Sequence, residues 1–262
     1  MLVTVVDRTR GAVSHEDCAR VVAAVDRQVR RDVAPVLGVD ARVRLAPASG
    51  RRPARAAIAS RRGDAVLYLV ADGDPGDAVG WHERDRRGVP YGFVSLALAD
   101  ALGEPWSVTL SHEALEMIAD PEVNLLVLGP HPDRARRRRV LHWFEICDAV
   151  QDDRYEVDGV EVSDFVLPLW FTEAAEPGAR NEFLPRRRRG RALASFTAAP
   201  GGYLGFYDPS TREHETWVAP GDARAEARRR ARERFAWARR GSRRRPGPEA
   251  GAPPPPGAGS AA

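Results

Sequence analysis

The residues with the clearest capacity for chemistry run from Ser111 to Pro121, SHEALEMIADP. Read as a helix, the stretch carries His112 and Glu116 four residues apart on one face, with Asp120 a further turn along, while Glu113 projects about 100° to the side of that row. An imidazole and a carboxylate one turn apart are a common way to hold a divalent cation. A rigid helix fixes their separation without further ordering cost.

Two helices are expected to position these groups. Pro105 to Asp120 reads as the first, with Val108, Leu115 and Ile118 near one face and Pro121 as its stop. A linker bearing an Arg block follows, and Val140 to Val150, VLHWFEICDAV, reads as the second. It offers His142, Glu145 and Asp148 at a spacing of three, set among Trp143, Phe144 and Ile146, where an unpaired charge is costly. Glu145, Asp148 and Asp120 are therefore the candidates for a third ligand. One His with two carboxylates cancels the charge of a divalent ion, so a bound water would be only weakly acidified, and the oxygen-rich set also suits manganese or iron.

His112-Glu113-x-x-Glu116 resembles the His-Glu-x-x-His helix of the zincin metallopeptidases, with Glu116 in place of the second His. The resemblance implies that His112 and Glu116 are metal ligands and that Glu113 is the general base. Glu145 and Asp148 look like the gluzincin pair in which a later helix supplies a ligand Glu and a supporting Asp. The order of elements over residues 1 to 120 is similar to a zincin N-terminal subdomain, in which the strand before the active helix pairs with extended substrate; Tyr91 to Leu98 would be that strand. The implied protein is an α+β, zincin-like fold, with a mixed sheet packed on helices and the active helix followed by a second ligand-bearing helix. The implied activity is that of a metal-dependent hydrolase, a peptidase acting on peptide or protein substrates through a metal-activated water, with zinc as the divalent metal.

Earlier in the chain, Val3 to Val6 reads as a strand, and Ser14 with Asp17 resembles a capping box. Val21, Val22, Val25, Val29 and Val33 then form a helical stripe that Pro35 is expected to stop. Ala41 to Leu45 and Ala65 to Ala71 read as strands, Asp72 to Gly80 as a loop, and Glu156 to Phe171 as a hairpin about Asp158-Gly159. The expected domains are 1 to 175, zincin-like; 176 to 241, irregular or β with an Arg-rich helix over Arg224 to Arg240; and 242 to 262, a disordered Pro-rich tail.

Composition bounds the alternatives. With 262 residues, 43% hydrophobic and 29% charged, the chain can bury a core. No apolar run approaches a membrane span and no secretory signal is visible, so a cytoplasmic location without a membrane partner is expected. Cys18 and Cys147 are expected as free thiols. All 40 basic residues are Arg, in blocks at 136–139, 186–189, 228–230 and 243–245. These support an alternative of another class: a non-catalytic protein whose acidic and His residues form a structural metal or polar cluster, while its Arg-rich surface binds nucleic acid or an acidic partner. No recognition motif accompanies the blocks.

Four further readings carry less. A Cys147–His142 nucleophile pair would point about 140° apart on one helix. A di-iron site from Glu113, Glu116, His142 and Glu145 needs four long helices. Tyr155, Tyr203 and His214 are interchangeable as oxyanion partners, and His82 either lines a cleft or caps a strand.

Overall fold

The computed structural model describes residues 1–47, 64–71, 80–85, 88–173, 179–188, 190–227 and 230. The expected loop at 72–79, most of the Arg224–Arg240 helix, the Arg243–Arg245 block and the tail at 242–262 lie outside them.

Helices and sheets are mixed. The first sheet is ordered β2-β1-β3-β5-β4, from β1 (Leu2–Arg8), β2 (Arg42–Leu45), β3 (Ala65–Val70), β4 (Gly80–Arg84) and β5 (Pro90–Ser95). β1, β2, β3 and β5 run parallel, and β4 pairs antiparallel with β5 along one edge. Val3, Thr4, Val5 and Val6 are buried in succession, the unalternating pattern of a parallel strand covered on both faces. Tyr91 to Leu98, expected beside substrate, is instead the interior strand β5 as far as Ser95; Ser95 then caps α3 (Leu96–Ala101), its Oγ accepting from Leu98 N–H at 3.3 Å. The edge strand is β4, which alternation over five residues did not announce.

α1 (His15–Gln28) begins at the expected capping box: Asp17 N–H donates to Ser14 Oγ at 3.0 Å, and Ser14 Oγ–H donates to Asp17 at 2.7 Å. Pro35 does not stop the helix. A π-helical turn over Val29–Val33 leads into α2 (Ala34–Leu37), with Pro35 in the first turn of α2; Gly38, with φ +67°, ends the run.

α4 (Trp106–Ala119) lies between two layers. One side packs on α1, β3, β4 and β5, the other on the hairpin of β8 (Arg154–Val157) and β9 (Val160–Ser163). Every residue from Ser107 to Ile118 is consequently buried. The hairpin turns where expected, with Asp158 and Gly159 both at positive φ, +51° and +71°.

The second expected helix does not form. Arg139–Trp143 is strand β7, paired antiparallel with β6 (Leu126–Pro130), and Asp148–Val150 is a single 3₁₀ turn. Val140 and His142 point inward while Leu141 and Trp143 are half-buried, a period of two that the mixture of aromatic and aliphatic residues disguised. The stretch read as a linker supplies the partner strand, and its Arg block forms the connecting loop. β10 (Tyr203–Asp208) and β11 (Glu213–Val218) complete a sheet ordered β11-β10-β7-β6, which runs across the boundary expected at 175.

A buried polar network ties these layers together. Gln28 Nε2 donates to Ser163 O at 2.8 Å and to Tyr155 Oη at 3.1 Å; Ser111 Oγ–H donates to Gln28 Oε1 at 2.7 Å and accepts from Ser163 N–H at 3.1 Å; Tyr155 Oη–H donates to Asp32 at 2.8 Å. Ser111 is thereby fixed immediately before His112. Tyr155→Phe should cost about 1–3 kcal/mol in urea denaturation, because the buried Asp32 carboxylate and Gln28 each lose a partner; unchanged stability would show the network to be slack.

Candidate metal centre

α4 presents His112 and Glu116 on one face as its spacing requires, and His112 Nε2 stands 3.1 Å from Glu116 Oε2. The turn after β7 returns to this face, setting Asp148 Oδ1 3.3 Å from the same nitrogen. Cys147 N–H donates to Glu116 Oε1 at 3.2 Å. Ligand atoms of His112, Glu116 and Cys147 all lie within 4.8 Å of one another.

A second group adjoins the first and shares Glu116. Here His82, carried in by edge strand β4, places Nδ1 3.4 Å from Glu113 Oε2, and ligand atoms of His82, Glu113 and Glu116 again lie within 4.8 Å of one another. Glu113 is 3% exposed, His112 4%, Glu116 1% and Asp148 2%.

The electrostatics are those of an acidic pocket. Burial works against a charge on His82, yet its hydrogen bond with Glu113 and the charges of Glu145, Glu113 and Glu116 lift its pKa to about 9. Burial likewise opposes a charge on His112, and Glu116 and Asp148 hold its pKa well above the usual imidazole range. Burial, then the charge of Glu116, pushes the Cys147 thiol well above its ordinary value.

These donors fit a divalent ion. Donors about 2.0–2.1 Å from a tetrahedral ion stand about 3.3 Å apart, close to the His112–Glu116 and His112–Asp148 separations, which hydrogen bonds from His112 also account for.

His112, Glu113, Glu116 and Asp148 are thus brought together. Glu145 is half-buried and near enough to His82 to raise its pKa, although it lies in the turn after a strand and not on a helix. Asp120 ends α4, where its Oδ2 accepts Leu125 N–H at 2.8 Å. His142 is elsewhere: its Nε2 meets Pro130 O at 2.9 Å, its ring packs on Phe196, and burial lowers its pKa to about 4. His82 and Cys147 are the members that sequence spacing could not assign, since each arrives through a strand register or a turn.

Arg residues of two blocks are engaged in ion pairs. Arg136 pairs with Asp133 and Glu215, Arg138 with Asp208, Arg139 with Glu173, Arg186 with Asp153, and Arg188 with Asp153 and Glu182. No helix among the described residues is long and apolar enough to cross a membrane. Comparison of the chain with protein-family models, with curated proteins and with solved structures gave no match.

Proposed function

We propose that the chain is a metal-dependent hydrolase of zincin-like design, acting on peptide bonds. The observation that carries the reading is the convergence of His112 and Glu116 from α4 with Asp148 from a separate segment, at 3.1 and 3.3 Å from one nitrogen. A divalent ion held there would supply Lewis acidity toward a water or carbonyl oxygen. Glu113, one position round the helix, is the group that would take and return the proton. His82, 3.4 Å from its carboxylate, holds it in place.

Burial favours a second reading. A catalytic ion needs an open position, and Glu113 and His112 at 3% and 4% exposure describe a closed group of the kind that serves structure. On that reading the ion stitches α4 to the turn after β7.

Metal analysis with peptide hydrolysis separates the two. One divalent ion per chain is expected in the wild type and none in His112→Ala. Glu113→Gln should keep the ion and lose peptide hydrolysis by about 10²–10⁴-fold, the contribution of a general base. Equal metal in wild type and His112→Ala rejects the site altogether. A wild type that holds its ion, cleaves no peptide in a mixed library and melts lower after chelation is the structural alternative.

A further inference from the structure

Cys147 has no part in the reading above, yet it lies in the middle of the group. It is fully buried, its N–H is committed to Glu116 Oε1, and its thiol stands 3.9 Å from the His112 carbonyl oxygen. Both thiols belong to the buried apolar core, but Cys18 lies on α1, outside the groups that could hold a metal ion among the described residues.

We infer that Cys147 is a thiolate ligand of the same ion, together with His112 and Glu116, and that the site therefore takes a thiophilic divalent metal in preference to magnesium, calcium or manganese. The inference rests on the metal-site reading. Three observations bear on it. The three ligand atoms already lie within 4.8 Å of one another, and zinc with sulfur at about 2.3 Å and nitrogen at about 2.0 Å requires about 3.5 Å between the two, a difference that side-chain rotation covers. The thiolate and the Glu116 carboxylate balance a divalent ion with His112 neutral. Nitrogen, oxygen and sulfur together form a soft donor set. On binding, the S–H bond of Cys147 breaks, the sulfur–metal bond forms, and that proton leaves to the buffer together with the proton that His112 holds in the metal-free chain. His112, Glu116 and Cys147 are three protein donors, a count that leaves the open position catalysis needs, whereas a structural zinc site has four.

The test is cobalt(II) titrated into the metal-free full chain, into Cys18→Ser and into Cys147→Ser. Expected are a near-ultraviolet sulfur-to-cobalt charge-transfer band at one ion per chain, its retention in Cys18→Ser, and its loss in Cys147→Ser, with at least tenfold weaker binding and one fewer proton released. Cys18→Ser leaves Cys147 as the chain's sole thiol, so its spectrum decides the matter even where Cys147→Ser fails to fold. Cobalt bound without the band, or a band that survives Cys147→Ser, overturns the inference and leaves the metal site standing. No cobalt bound by the wild type overturns both.

Discussion

Asp164→Asn is expected to make the protein more stable at pH 8 by about 4 kcal/mol, with the gain fading toward pH 4. Asp164 is 0% exposed. Its Oδ1 accepts Phe165 N–H at 2.9 Å and Leu184 N–H at 3.1 Å, while Oδ2 has no hydrogen-bond partner among the described residues. Oxygens of Asp153, Asp164 and Glu182 lie within 4.8 Å of one another, and Arg188 pairs with the other two carboxylates. Burial above all, then the charges of Asp153 and Glu182, raises the Asp164 pKa from 3.8 to about 7.

The folded chain thus keeps a proton that the unfolded chain gives up near pH 4. Stability falls as pH rises from about 4 to about 7 and is level above. Asparagine mimics the protonated acid and does not titrate. Urea denaturation of both proteins at pH 5 and pH 8 reads the difference; identical pH slopes would mean that Asp164 is ionised in the fold.

Gly202→Ala should have the second large effect, and it reaches the metal centre. A Cβ at Gly202 would overlap the Ala149 carbonyl oxygen, stand 2.7 Å from its carbon and 3.0 Å from Asp148 O. All three are backbone atoms. Ala149 O is also held by Ala199 N–H at 2.8 Å, so the 3₁₀ turn Asp148–Val150 cannot simply step aside. A loss of about 3 kcal/mol is expected from the overpacking. Because that turn carries Cys147 and Asp148, metal affinity should fall about tenfold with it, at a cost of about 1.4 kcal/mol. Gly205→Ala is the control: three residues further on, within β10, its Cβ would touch the Trp143 side chain at 3.2 Å and no backbone. Equal metal affinity in both variants would uncouple the turn from the site.

What could be read without coordinates was local. The α4 donors follow from a period of 3.6 fixed by main-chain hydrogen bonds, and the β8–β9 hairpin from Asp158-Gly159, whose backbone accepts two positive φ angles. The α1 cap is equally local. Val140–Val150 misled because its residue types satisfy a helix and a strand alike; the deciding fact was Leu126–Pro130, which pairs with it from Leu126↔Trp143 to Pro130↔Arg139 and offers it a ladder. His82 was beyond reach for a related reason. Its place depends on β4 joining β5 in the register His82↔Gly92, which no property of GWHER determines alone. Gln28 and Ser111 meet 83 residues apart, with neither marked in the sequence by anything but its polarity.

The strand order has a kinetic meaning. β4 and β5 follow one another in the chain and pair antiparallel, a local contact, whereas β1 meets β3 with Val3 opposite Ala65, across most of the first 65 residues. Closing such wide loops is slow, and parallel pairing brings no local reward along the way. His82 thus rides on a locally paired strand, and it meets Glu113 only where that strand packs on α4. A cation held by these groups would therefore bind the packed layers and not the strand pair by itself.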